Sequence, residues 1–165
     1  MIAYKDIENN LRWFDRQYTK AQTNVNAKYY SKLAILELCG WIEISMDDIV
    51  LRGSVRALSE DENRKLVSNK VNKNYGFEYE RHFQTILIAL FGVIGVERLE
   101  RSIPVSIRVP FKVELKNLIK TRNSLAHTYT RGTTPQYDSP SVTIGRYQII
   151  AKGLEAYDLG VRKIC

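Results

Sequence analysis

Cysteine and histidine are both scarce in this chain. Cys39 and Cys165 are the only cysteines in 165 residues, they stand far apart, and they show no metal-ligand spacing. That usage predicts a reduced, cytoplasmic protein. His82 has no cysteine or second histidine near it, so it reads as a helix-surface residue, and no metal or cofactor is expected. Long apolar runs are missing as well. The longest, residues 86–96, is about half of the roughly 20 residues needed to cross a bilayer; it reads as a buried helix, and no membrane partner is expected. The N-terminus carries Lys5, Asp6 and Glu8 with no apolar stretch after a basic start, which does not read as a secretory signal. Without a glycine-rich phosphate loop or a nucleophile elbow, nucleotide hydrolysis and covalent catalysis have no support.

Acidic residues are the minority charge. Eighteen Asp and Glu against 25 Lys and Arg leave a net charge of +7 and a pI near 9.4, which favours polyanionic partners without naming one. The 44% of hydrophobic residues suffices for one unstapled core, so a single domain over residues 1–165 is expected.

Periodicity predicts an all-α, up-and-down bundle of about five helices. Ile7, Leu11, Phe14 and Tyr18 recur at helical steps and place a first helix over about 4–21. A second, over about 27–51, takes apolar contacts from Leu33, Leu36, Leu38, Trp41, Ile44 and Ile49 and ends by Gly53. Ser59 to Glu62 has the Ser-x-x-Glu form of a capping box and starts a short helix that ends before Asn72. The turn at 72–76 leads into a helix from near Phe77 through the apolar run, expected to be central. Pro104 and Pro110 bracket a short extended connection, Pro110 opening a helix that ends around Thr130. A loop with Gly132, Pro135 and Pro140 precedes a last helix over about 144–163. Strand signals are few.

One segment stands out chemically: Arg122-Asn123-Ser124-Leu125-Ala126-His127. A guanidinium is a planar, permanently charged fork suited to phosphate oxygens, and an imidazole exchanges a proton near neutral pH. Arg122 follows Ile119 by three and Leu115 by seven, which puts a charge on an apolar stripe. Lys116, Lys120, Asn123 and His127 follow one another at steps of four, three and four as a basic ridge. Arg122 and His127 lie roughly 140° apart on a straight helix, a separation that a second copy packed across a two-fold axis would resolve by lining one cleft from both subunits. Spacing alone is weak, since the chain's composition gives such a pair by chance about one time in six.

The string Lys120-Thr121-Arg122-Asn123-Ser124-Leu125-Ala126-His127-Thr128-Tyr129, late in a helical chain of this size, resembles the HEPN superfamily, whose signature is Arg, a polar residue, three variable residues and His. Within it the chain is most similar to the RiboL-PSP-HEPN group, in which a turn like Tyr75-Gly76-Phe77 precedes an apolar helix. The resemblance implies a homodimeric, metal-independent endoribonuclease of toxin-antitoxin or defence systems, partnered by RNA and by an antitoxin or a defence-system ATPase. His127 would act as general acid or base, Arg122 would hold the phosphate, Asn123 would orient phosphate or histidine, and Lys116 and Lys120 would guide the RNA backbone. Some relatives carry a tyrosine two positions after the histidine that a partner antitoxin nucleotidylates, here Tyr129. Other members are non-catalytic modules that bind RNA or a partner protein, which is the alternative expectation. A helical interaction domain with no nucleic-acid role is a third.

Overall fold

The computed structural model describes residues 2–126, 128 and 137–165. It is an all-α bundle with six helices among these residues: α1 (Tyr4–Thr19), α2 (Asn24–Ala57), α3 (Asp61–Asn72), α4 (Gln84–Ser102), α5 (Val105–Ala126) and α6 (Pro140–Ile164), with a π-helical turn over Tyr79–Phe83 before α4. The sixth is the short segment after Ser59, which forms a full twelve-residue helix.

The central helix is α2, not the apolar run. It packs against α1, α3, α4, α5 and α6, and its 34 residues span about 50 Å at 1.5 Å per residue. Ala34, Ile35, Leu38, Ile42, Met46, Ile49 and Val50 are all buried. Its real start is capped by the Thr23 hydroxyl, which accepts from the Asn26 amide at 3.2 Å. It also runs straight through Gly53, whose missing side chain makes room for Leu90 and Val161. Two residues assigned to the core, Leu33 and Ile44, face outward.

The apolar run is not a buried helix: of residues 86–96 only Ile86, Leu87 and Val96 are buried. Ile86, Leu87, Val96 and Leu99 are in the core, but Gly92 adopts a left-handed φ of 67° and kinks α4, leaving Val93 and Ile94 67% and 69% exposed. The stretch Tyr79–Ser102 is, among the described residues, the one long and apolar enough to span a bilayer, and within it Tyr79, Phe83, Ile86, Leu87, Val96 and Leu99 are buried in the bundle.

Two other local expectations are corrected. The capping box at Ser59 does not form, because the helix begins at Asp61 and Arg64 Nε instead donates to the Leu58 carbonyl at 2.8 Å. Residues 105–109 are helical rather than extended. The Pro104 carbonyl accepts from the Ile107 and Arg108 amides at 2.9 and 3.0 Å, which starts α5 early, and Pro110 is carried inside the helix. Arg108 Nη1 also donates to the Glu100 carbonyl at 2.9 Å, tying this first turn to the end of α4. Pro140 sits in the first turn of α6, where its missing N–H costs nothing.

A buried polar network locks the π turn to α4, α5 and α6. Tyr157 donates to the Tyr79 hydroxyl at 2.9 Å, Tyr79 donates to the Glu100 carboxylate, and Lys112 Nζ reaches the same carboxylate at 2.9 Å while lying 3.7 Å above the Tyr79 ring. Burial alone would raise the Glu100 carboxyl. The hydrogen bonds from Tyr79 and Lys112, with the charges of Lys112 and Arg108, outweigh it and hold the group below its usual range. Burial pushes the Tyr79 and Tyr157 phenols well up, so both stay protonated donors.

Candidate functional site

On α5, Phe111, Leu115, Leu118 and Leu125 are buried at heptad-like spacing, and Arg122 takes the next position in that series yet is exposed. The expected interruption of the stripe is therefore real. Arg122 makes no hydrogen bond or ion pair with the described residues. Its charge is felt by the buried Cys39 thiol on α2. That thiol is pushed up to about 12 by burial, with Arg122 pulling it down, Glu43 raising it and Arg146 lowering it.

Lys116, Lys120 and Asn123 are exposed, as a basic ridge requires. Helical spacing extends this ridge back through Val113, Val109 and Val105, all exposed apolar residues. One outer stripe of α5 is thus apolar in its first half and basic in its second. It lies on the side of the helix away from Arg122, so within one protomer the ridge and the guanidinium do not converge. Beside the ridge, a cleft of about 310 Å³ is lined by Lys120, Thr121, Ser124, Leu125 and Tyr137. His127 and Tyr129 lie outside the described residues.

Sequence reasoning missed the link that fixes the end of the motif. Lys32 Nζ, on α2, donates to the Thr128 carbonyl at 2.8 Å, and the Thr128 amide donates to the Leu125 carbonyl at 3.3 Å. A contact between residues 96 positions apart leaves no local pattern to read. His82 was also underread: it is partly buried, and its Nδ1 accepts from the Glu78 amide at 3.1 Å.

No carboxylate of α2 forms an ion pair with Arg122 among the described residues. Glu37 accepts from Asn10 at 2.9 Å, Asp48 pairs with Arg52 at 3.0 Å, and Asp47 lies near Asn74 with its Oδ1 buried and without a hydrogen-bond partner among the described residues. Among the described residues no group of three or more His, Cys, Asp or Glu is arranged to hold a metal ion.

Asp47 carries a cost for the fold. Its carboxyl is raised from 3.8 to about 6, first by burial and then by Glu43, against the lowering effect of Asn74. A raised value means that the folded chain holds the proton more tightly than the unfolded one. The group therefore favours folding below about pH 4, and that advantage is lost as the pH rises through about 6. Asp47→Asn is expected to stabilise the protein by about 1 kcal/mol near pH 7.5, after discounting for solvent screening, and to have little effect near pH 4. Urea denaturation of both proteins at the two pH values measures it; an equal effect at both would show that ionisation is not the cause.

Comparison of the chain with protein-family models, curated proteins and solved structures found no match.

Proposed function

We propose that this chain is a metal-independent endoribonuclease that works as a homodimer, of the kind used as a prokaryotic toxin or defence effector. The observation that carries the reading is Arg122: a permanently charged fork, exposed and without an ionic partner among the described residues, at a helix position where an apolar side chain would otherwise be expected. A cation held in this way is available to an anion. The exposed Val105, Val109 and Val113 on the outer stripe of α5 suit contact with a second copy, and Lys116 and Lys120 continue that stripe as a basic surface for an RNA backbone.

RNA supplies its own nucleophile. His127 takes the proton from the 2′-hydroxyl, the 2′-oxygen attacks the adjacent phosphorus, and the bond to the 5′-oxygen breaks as the imidazolium so formed returns that proton to the leaving oxygen. Arg122 offsets the charge that develops on the phosphorane oxygens, and Asn123 orients the phosphate or the imidazole. The products are a 2′,3′-cyclic phosphate and a 5′-hydroxyl. An unperturbed imidazole, with a pKa of about 6.5, suits both proton transfers.

Purified protein incubated with single-stranded and structured RNA in excess EDTA is expected to release cyclic-phosphate ends, and His127→Ala is expected to abolish them. Cleavage that persists in His127→Ala, or that needs a divalent ion, would overturn the mechanism. RNA retained on a gel without cut products would instead mark a non-catalytic binding module.

A further inference from the structure

A second polar pocket lies far along the chain from the Arg122 motif, between the end of α3 and the π turn. It encloses about 390 Å³, and its lining includes Lys70, Lys73, Tyr75, Arg81, His82 and Thr85. Three of these are permanent or near-permanent cations. Lys70 and Lys73 have no ion pair with the described residues, and Arg81 is held only by a loose contact from its Nε to Glu78 at 3.6 Å, which leaves the rest of its fork open.

The imidazole at the centre is built in rather than incidental. Because His82 Nδ1 accepts from the Glu78 amide, the neutral ring carries its proton on Nε2 and presents a donor there. The ring lies against Gly76, whose φ is +134°; a Cβ at that position would come within 2.8 to 3.1 Å of three imidazole atoms. Only glycine fits both the backbone angle and the contact. The π turn itself supplies the geometry, with the His82 and Phe83 amides both donating to the Glu78 carbonyl at 2.9 and 3.2 Å. Beside the turn, Tyr75 is 81% exposed, an aromatic face that buries nothing in this chain.

We infer that this pocket binds a phosphate joined to a nucleobase, with the phosphate on Lys70, Lys73 and Arg81, the His82 Nε2–H as a neutral donor to it, and the base stacked on Tyr75. Cations that share a pocket with an imidazole donor favour phosphate oxygens, and an exposed tyrosine ring favours a planar base. Two carboxylates bear on the pocket: Glu78 offsets part of the Arg81 charge across 3.6 Å, and Asp47 lies near the lining residue Asn74, which leaves Lys70 and Lys73 as the cations without an ion pair among the described residues. The same chemistry is offered by a free mononucleotide and by a nucleotide within a single strand. The inference does not depend on the cleavage reading.

The test uses the full chain carrying His127→Ala, so that no substrate is consumed and failure of the nuclease proposal leaves the binding measurement intact. Calorimetric titration with AMP, inorganic phosphate and a ten-nucleotide single-stranded RNA is compared for this protein, for Lys70→Ala/Lys73→Ala and for Tyr75→Ala, each checked for an unchanged melting temperature. The expected result is binding of AMP or of the strand that weakens at least about tenfold in the lysine pair and about fivefold or more in Tyr75→Ala. Comparable affinity for AMP and the strand identifies a mononucleotide pocket, and a hundredfold preference for the strand identifies a strand-holding site. Absence of binding at millimolar concentration, binding that survives the lysine substitutions, or binding of inorganic phosphate as tight as AMP and indifferent to Tyr75 would each overturn it.

Discussion

Arg122→Ala is expected to lower RNA cleavage in EDTA at least about 100-fold while leaving the melting temperature within about 2 °C of the unaltered protein. The two halves of that expectation have separate physical origins. A charge in a core stripe is ordinarily neutralised by a buried carboxylate, and removing it then leaves the partner stranded and the fold weaker. Here the guanidinium is exposed and has no ionic partner among the described residues, so its removal strands nothing. The loss falls on whatever the fork binds. Losing a donor aimed at the developing phosphorane charge costs on the order of 3 kcal/mol in the barrier, hence the hundredfold figure. Arg122→Lys keeps the charge and loses the planar fork, and an intermediate loss of about tenfold is expected. Initial-rate cleavage assays beside thermal melts separate the outcomes. A melting temperature lowered by more than about 5 °C would make Arg122 a structural residue, and unchanged cleavage would remove it from the site.

The sequence carried the helices and the interruption of the α5 stripe because both are local. Ile7 and Leu11 on α1, Leu115 and Leu118 on α5, and Tyr147, Ile150, Leu154 and Tyr157 on α6 repeat at helical steps and are buried as that pattern requires. Arg122 announced itself by occupying a position in such a series. What was hidden is tertiary. Leu33 and Ile44 follow the apolar pattern of α2 yet face outward, since periodicity specifies a stripe but not how wide the neighbouring helices cover it. The segment 105–109 alternates like a strand between two prolines, and the Arg108 contacts with the end of α4 override that local preference. The ends were mislaid for a related reason. Gly53 looked like a terminator, while its function is to let Leu90 and Val161 approach. The ordering of His82 depends on Gly76 and on the Glu78 amide together, a three-residue arrangement that a lone histidine in a polar stretch does not disclose.

Gly153→Ala is expected to destabilise the bundle by about 2 to 3 kcal/mol and to lower the melting temperature by about 5 to 10 °C. Gly153 is buried where α6 crosses α5, and an added methyl would lie 2.2 Å from Phe111 Cδ2 and 2.4 Å from its Cγ. Such a clash is cheap only when the neighbour can swing away. Phe111 cannot: it is fully buried, with its ring centroid 5.5 Å from that of Tyr157 and 6.4 Å from that of Tyr79. Tyr157 and Tyr79 are in turn held by their own hydrogen bond and by Glu100. The strain therefore passes into the polar network or separates the two helices. Alanine also gains about 1 kcal/mol of helix propensity over glycine, so the expected loss is a net figure and an exposed glycine would show the opposite sign. A double-mutant cycle tests the cause. In a Phe111→Leu background, where the clashing ring is gone, Gly153→Ala should cost less than half as much, although Phe111→Leu is itself destabilising. Equal costs in the two backgrounds would place the strain elsewhere. Because α5 carries Arg122 eleven residues beyond Phe111, about three helical turns, separating α5 from α6 is expected to disturb the cleavage site as well. Gly153→Ala should then reduce cleavage together with stability, whereas Arg122→Ala reduces cleavage alone.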